Sequence, residues 1–418
     1  MTIQFKRVGR GVVLGALLLA PLAVCPPATF SQSEQQQDDP DTALMRRKAL
    51  ELYRQGKFVD AMPLLEKLSA LHPNDYVVKE HWAYCILEYS ATLRDLEARK
   101  KARIQARTLG LEAQKAGDLS DLLQTLVAIP EDGSETKFSE RAEVNDGMKS
   151  AEADFARGDL DKAREGYKHV LELDPKNYEA TLFVGDVYFK ERAYNAANEW
   201  FAKATQINPD RESAYRYWGD SLAMTGKNDE ARVQYIKAVI AEPYTRSSWV
   251  ALRQWTDRTK QPFNAIMLQN KSSAKTEGGN TTVTVDEHTL DQSTPETAGW
   301  IAYGGTRALW QQGKFKKEFP KETTYRRSLR EESEALDAMV KVLAPEAASE
   351  KKAKKLDPAL LQLIQIDQKG LLEPFVLLNR ADPDIAKDYP AYRAEHADKL
   401  FQYMDEFVLP RTTAQAAN

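Results

Sequence analysis

The chain has 418 residues, room for two or three domains or for one long repeat array. Charged residues make up 29% and hydrophobic residues 42%, which excludes a chain disordered throughout. A formal net charge of −4 leaves no basic excess, so no nucleic-acid partner is expected.

The first residues read MTIQFKRVGRGVVLGALLLAPLAV. Lys6, Arg7 and Arg10 precede an apolar run from Gly11 to Val24 that is short for a bilayer span. Small residues at Thr29 and Ser31 fit a cut before Gln32, so 1–31 reads as a secretory signal peptide. The competing expectation is an uncleaved membrane anchor. The stretch Leu22-Ala23-Val24-Cys25 resembles the lipobox of bacterial lipoproteins, although Val24 stands where that family has Gly, Ala or Ser. That resemblance implies a lipid anchor at Cys25. Membrane contact is expected only through the signal or this anchor, and the protein is expected to be exported: periplasmic, secreted or anchored to the envelope. Residues 32–41, QSEQQQDDPD, form a polar spacer too poor in apolar side chains to fold.

Helical stripes begin next. Met45, Ala49, Leu52, then Ala61, Leu65 and Leu68, with Gly56 and Pro73 as breaks, predict an antiparallel helix pair. Lys79, Trp82, Ala83 and Ile86 start another helix. Its neighbour Cys85 lies in an apolar setting that suggests a buried, inert thiol. Ala98, Ala102 and Ala106 predict a long second helix, and Leu119–Ile129 a short third. Residues 42–135 are thus an N-terminal repeat followed by either a degenerate repeat or a hinge.

The period is plainest over 136–260. Pro175, Pro209 and Pro243 fall 34 residues apart. Thr181, Val184, Gly185 and Tyr188 share one helix face; Ala197, Phe201 and Ala204 share another, closed by Pro209. The next block repeats this with Tyr215, Trp218, Gly219 and Leu222, then Ala231, Tyr235, Ala238 and Pro243. The preceding block has Ala151, Gly158, Ala163, Tyr167, Val170 and Pro175. Trp249, Leu252 and Trp255 predict a capping helix.

These blocks resemble the tetratricopeptide repeat family, in which stacked helix pairs bury a continuous core. The match is close, except that Thr181 replaces the opening aromatic. The resemblance covers about 42–250 and implies an all-α fold: a right-handed solenoid of antiparallel helix pairs. It assigns Gly185, Tyr188, Ala197, Phe201, Pro209, Trp218, Gly219, Ala231 and Tyr235 to the repeat core. It also implies that the leading helix of each pair lines a concave groove that binds a protein segment. The matching positions include Arg46, Tyr53, Arg54, Tyr84, Glu152, Phe155, Asp186, Phe189, Lys190, Arg216 and Asp220, with Met148 and Leu182 on the same face. One branch of the family grips a C-terminal carboxylate with Lys and Asn; Leu182, Asp186, Arg216 and Asp220 stand at those places, so that mode is not expected.

Beyond the repeats the texture changes. Val283 and Val285 alternate with polar residues after Gly278-Gly279-Asn280, predicting a β-hairpin or flap within 261–295. Residues 296–418 read as a helical C-terminal domain, with an amphipathic helix over 326–343. Gly304-Gly305 lacks the Lys-Ser/Thr of a phosphate loop and reads as close helix packing or a kink. His72, His81, His169, His288 and His396 have no partner at metal-ligand spacing, and no nucleophile elbow or paired cysteine motif occurs. The expectation is therefore a non-enzymatic interaction scaffold or adaptor of the bacterial envelope, with no cofactor, no metal and no catalytic residue. The rival makes the C-terminal domain a hydrolase or ligand-binding module recruited through the repeats.

Overall fold

Apolar stripes spaced four and three apart fold as helices, and the glycine- and proline-marked breaks fold as the turns between them. The computed structural model describes residues 3–6, 39–117, 120–134, 137–277, 280–286, 295–354 and 356–411. Cys25, the expected cleavage site at Ser31 and most of the spacer lie outside the described residues. The chain divides into two units, Ala28–Gln254, and Trp255–Asn418 with Met1–Pro27.

In the first unit α1 (Pro40–Arg54) pairs with α2 (Phe58–Leu71), and α3 (Tyr76–Thr92) with α4 (Leu96–Lys115). A short α5 (Asp121–Val127) follows, and its Leu126 shares a core with Ala83, Ile86, Ala106 and Leu109 of α3 and α4. Then come α6 (Ala142–Arg157) with α7 (Leu160–Leu173), α8 (Tyr178–Lys190) with α9 (Tyr194–Ile207), and α10 (Glu212–Met224) with α11 (Asn228–Ala241). The unit ends within α12 (Arg246–Thr259). Side-chain caps start several helices: Asp39, Asp75, Asp95 and Asn177 accept backbone N–H groups of α1, α3, α4 and α8.

Each core is shared between neighbours. Val144, Met148 and Ala151 of α6 pack with Ala163, Tyr167 and Val170 of α7 and with Ala180, Val184 and Val187 of α8. The next cluster joins α8, α9 and α10 through Leu182, Phe201 and Ala214. No pair buries its stripe alone, so stability is distributed along the array.

The turns inside four of the five pairs hold the 34-residue frame; α3 and α4 are joined differently, through residues 93–95. Gly56, Gly158 and Gly226 have φ of 71°, 82° and 76°, a left-handed conformation that glycine adopts without steric cost. At the matching place in the middle repeat stands Arg192, with φ 61°. All four turns make the same closing hydrogen bond, as in Ala193 N–H to Tyr188 O and Lys227 N–H to Leu222 O.

The second unit is built differently. Strands β1 (Ile3–Lys6), β2 (Ser272–Glu277) and β3 (Asn280–Val285) form a sheet in the order β1-β3-β2. β2 and β3 are an antiparallel hairpin, and β1 runs parallel to β3. Helix α13 (Pro295–Leu309) lies on the hairpin, and Gly304 permits this: a Cβ there would come within 2.3 Å of Ser272 Oγ. After Leu309 the helix opens into a π-helical turn, Trp310–Lys314, where Gly313 has φ 153°. No second helix of a repeat follows. Helix α14 (Leu329–Ala347) is capped by Ser328, starting three residues later than the amphipathic pattern suggests. Helices α15 (Pro358–Gln368) and α16 (Tyr389–Tyr403) complete the unit.

A buried charge network ties these pieces together. Glu332, fully buried on α14, accepts from Tyr303 Oη (2.9 Å), Arg327 Nη2 (2.6 Å) and Arg380 Nε (2.9 Å). Burial pushes its carboxyl up, but the Arg380, Arg327 and Arg307 guanidiniums outweigh that and hold it at about 2. Adjacent Glu331 accepts from Arg307 Nε (3.2 Å) and Tyr325 Oη (2.8 Å).

Candidate functional site

The expected groove residues lie on the leading helices. Glu152 and Phe155 are on α6, Asp186, Phe189 and Lys190 on α8, and Arg216 and Asp220 on α10. Glu152, Asp186 and Asp220 stand 34 residues apart, so they form a carboxylate ladder across three repeats.

Two rungs have the same internal partner. Tyr167 Oη donates to Glu152 Oε1 at 2.5 Å, and Tyr235 Oη donates to Asp220 Oδ1 at 2.6 Å. Both tyrosines are fully buried in the second helix of their pair. Their counterpart in the middle repeat is Phe201, which has no hydroxyl. Asp186 therefore has no hydrogen-bond or ion-pair partner among the described residues. Burial pushes its carboxyl up, Lys190 pulls it back, and Glu152 pushes it up again. Lys190 is drawn elsewhere: its Nζ sits 3.9 Å from the centre of the Phe155 ring.

Arg216, one of the expected groove positions, is held by an acid of its own helix. Its Nε and Nη2 reach Glu212 at 2.8 and 3.1 Å, and its guanidinium lies 4.7 Å from the Tyr217 ring centre. Burial disfavours the charge, but the Glu212 carboxylate more than compensates and raises the guanidinium pKa. Glu212 also accepts from Ser247 Oγ of α12 at 3.0 Å, so this pair staples the last repeat to the capping helix. Arg46 is likewise engaged, with Asp75 at 2.6 Å. Met148 and Leu182 are buried in the core rather than presented on the face. Pro209 is exposed in the turn after α9; it terminates the helix and does not join the core. The other assigned core residues are buried or, for Tyr188 and Trp218, half-buried.

Near the N-terminus the same face is aromatic. Tyr53 meets His81, Tyr84 and Phe58 edge to face, with centroids 4.3, 5.8 and 5.8 Å away. Burial pushes the Tyr53 phenol up to about 12. Arg54 is exposed beside it. Phe189 packs edge to face on Tyr194 at 5.5 Å while remaining half-exposed. Sequence patterning missed Glu212, Tyr217 and the role of Phe201. Comparing positions 167, 201 and 235 as one column would have exposed the last.

On α6, α8 and α10 this face offers aromatic rings together with Asp186, a carboxylate without a hydrogen-bond or ion-pair partner among the described residues. No group of three or more His, Cys, Asp or Glu side chains among the described residues is placed to hold a metal ion. No helix of the described residues is long and apolar enough to cross a membrane.

A tetratricopeptide repeat model matches residues 154–217. No curated protein matches the chain. Among solved structures, the first repeat domain of Spaghetti (RPAP3), bound to an HSP90 peptide, is 20% identical, covering 28% of this chain and 94% of its own, with a TM-score of 0.27. The Arabidopsis OM64 repeat domain is 17% identical, covering 28% and 96%, with a TM-score of 0.27. YrrB, described as having an unusual peptide-binding site, is 15% identical, covering 50% and 90%, with a TM-score of 0.24. The family match falls across the centre of the three helix pairs that share one 34-residue frame, so this part of the chain is built of tetratricopeptide repeats.

Proposed function

We propose that the protein is a non-catalytic scaffold or adaptor of the bacterial cell envelope that holds a partner's peptide segment against the leading helices of its repeat array. The observation that carries this is the face of α6, α8 and α10, which carries half-exposed Phe155 and Phe189 together with part-buried Asp186. Aromatic rings with adjacent charge are the usual anchors of a recognition surface. The basic, apolar N-terminal stretch supports export. A catalytic C-terminal unit gains no support from its buried acids, because Glu331 and Glu332 are each met by arginine and tyrosine donors.

In-cell crosslinking with affinity purification tests the reading, comparing wild type with Phe155→Glu/Phe189→Glu. Circular dichroism checks that the variant folds. A defined partner that is lost in the variant supports the groove; partners that survive overturn it. A phosphatase reporter fused behind the spacer tests export, and palmitate labelling of wild type against Cys25→Ser tests the anchor.

A further inference from the structure

Resting on that groove reading, we infer that the segment the array binds presents a lysine or arginine side chain to Asp186, with apolar side chains on either side. Of the five charged groove residues on α6, α8 and α10, four have a partner. Glu152 and Asp220 each receive a buried tyrosine hydroxyl. Arg216 is held by two bonds to Glu212, and Lys190 lies over Phe155. The charge left unmatched is Asp186.

That lack of a partner is built into the repeat. Phe201 fills the place of Tyr167 and Tyr235, fully buried like them, but brings no donor. A part-buried carboxylate without a donor is unfavourable in the free protein. A ligand cation that supplies the donor recovers that cost on binding, and the recovery selects cationic over neutral segments. The surroundings suit the aliphatic stem of such a side chain: Phe189 lies one turn beyond Asp186 on α8, Phe155 of α6 meets Lys190 of that helix, and Asp186 acts electrostatically on Tyr217 of α10. Lys190 is the internal competitor, four residues on, but it forms no ion pair with Asp186. The occupant is thus opposite in charge to an acidic C-terminal tail.

The test uses the full chain and a phage library of random 12-residue peptides. Selected peptides are measured by fluorescence anisotropy against wild type, Asp186→Asn, Phe201→Tyr and Phe189→Glu. Phe201→Tyr is the control for folding, since tyrosine occupies that position in both neighbouring repeats, and it supplies Asp186 with the hydroxyl it lacks. The expected result is enrichment of peptides with Lys or Arg at a fixed spacing from apolar residues. Their affinity falls roughly 10- to 100-fold with Asp186→Asn and about fivefold with Phe201→Tyr. Peptides without a basic residue, or binding lost in Phe189→Glu but indifferent to Asp186→Asn and Phe201→Tyr, overturn the cation site and leave the groove standing. Failure to enrich any peptide, or binding indifferent to Phe189→Glu as well, overturns both.

Discussion

The two units solve burial in opposite ways. The repeat array spreads its core over adjoining clusters, each shared by three consecutive helices, so every element depends only on its neighbours. The C-terminal unit concentrates specificity in one buried network, where Glu332 alone joins α13, α14 and the segment around Arg380. The array tolerates a local departure from its frame, such as Arg192 at a glycine position or Phe201 at a tyrosine position. The network does not have that freedom, because a buried charge without its partner is costly. Departures that persist in the array are therefore places to look for function.

The largest test of this contrast is Glu332→Gln. Removing the carboxylate charge that Arg327 and Arg380 share costs about 3–5 kcal/mol, read by denaturant unfolding. Hydrogen exchange should rise throughout 295–403 and stay unchanged in α1–α11. The acid dependence has a definite sign. Glu332 is held at about 2, below its ordinary 4.5, so its contribution is full above 4.5 and is lost as pH falls through about 2. A C-terminal unit whose stability is flat between those values would contradict the network.

Gly185→Ala is the corresponding insult to the array. The new methyl would stand 2.6 Å from Phe201 Cε1, and overpacking of this kind costs about 1–3 kcal/mol. Exchange should rise in α8, α9 and the helices flanking them but not in α1 and α2. A uniform rise along the array would mean that its pairs unfold as one block.

Phe201→Tyr should stabilise the array by about 1 kcal/mol, because Asp186 gains the hydrogen bond its neighbours already have. Asp186 also has a pH signature opposite to Glu332. Its folded pKa is raised, so its ionisation penalises the fold increasingly as pH rises just above the ordinary carboxylate range, and the gain from Asp186→Asn should shrink as pH falls. The smallest effect is Arg192→Gly, expected to stabilise by about 0.5 kcal/mol in a thermal melt. Relief of the left-handed strain exceeds the added freedom of glycine in the unfolded chain.

Much of the array was legible because its information is local and repeated. Pro175, Pro209 and Pro243 mark the ends of second helices, and the stripes at Val184, Gly185, Tyr188 and at Ala197, Phe201, Ala204 place both faces of a pair. The hairpin was legible from the alternation around Val283 and Val285. The pairing of Arg216 was not legible, because Glu212 lies one turn away on the same helix and whether such a pair closes depends on burial by other elements. The C-terminal network was invisible: Glu332 and Arg380 are 48 residues apart, and no period links them.

The sequence by itself determined the 34-residue frame, the helix pairs, their turns and which face of each helix packs, because side-chain direction along a helix follows from its periodicity. Only the tertiary structure decided which charges are matched. A hydroxyl on α7 or α11 reaches a carboxylate on the leading helix of its own pair, and the missing hydroxyl on α9 leaves Asp186 without one. That outcome depends on distances across the packed pair and on exclusion of water, and neither is written in the order of the residues.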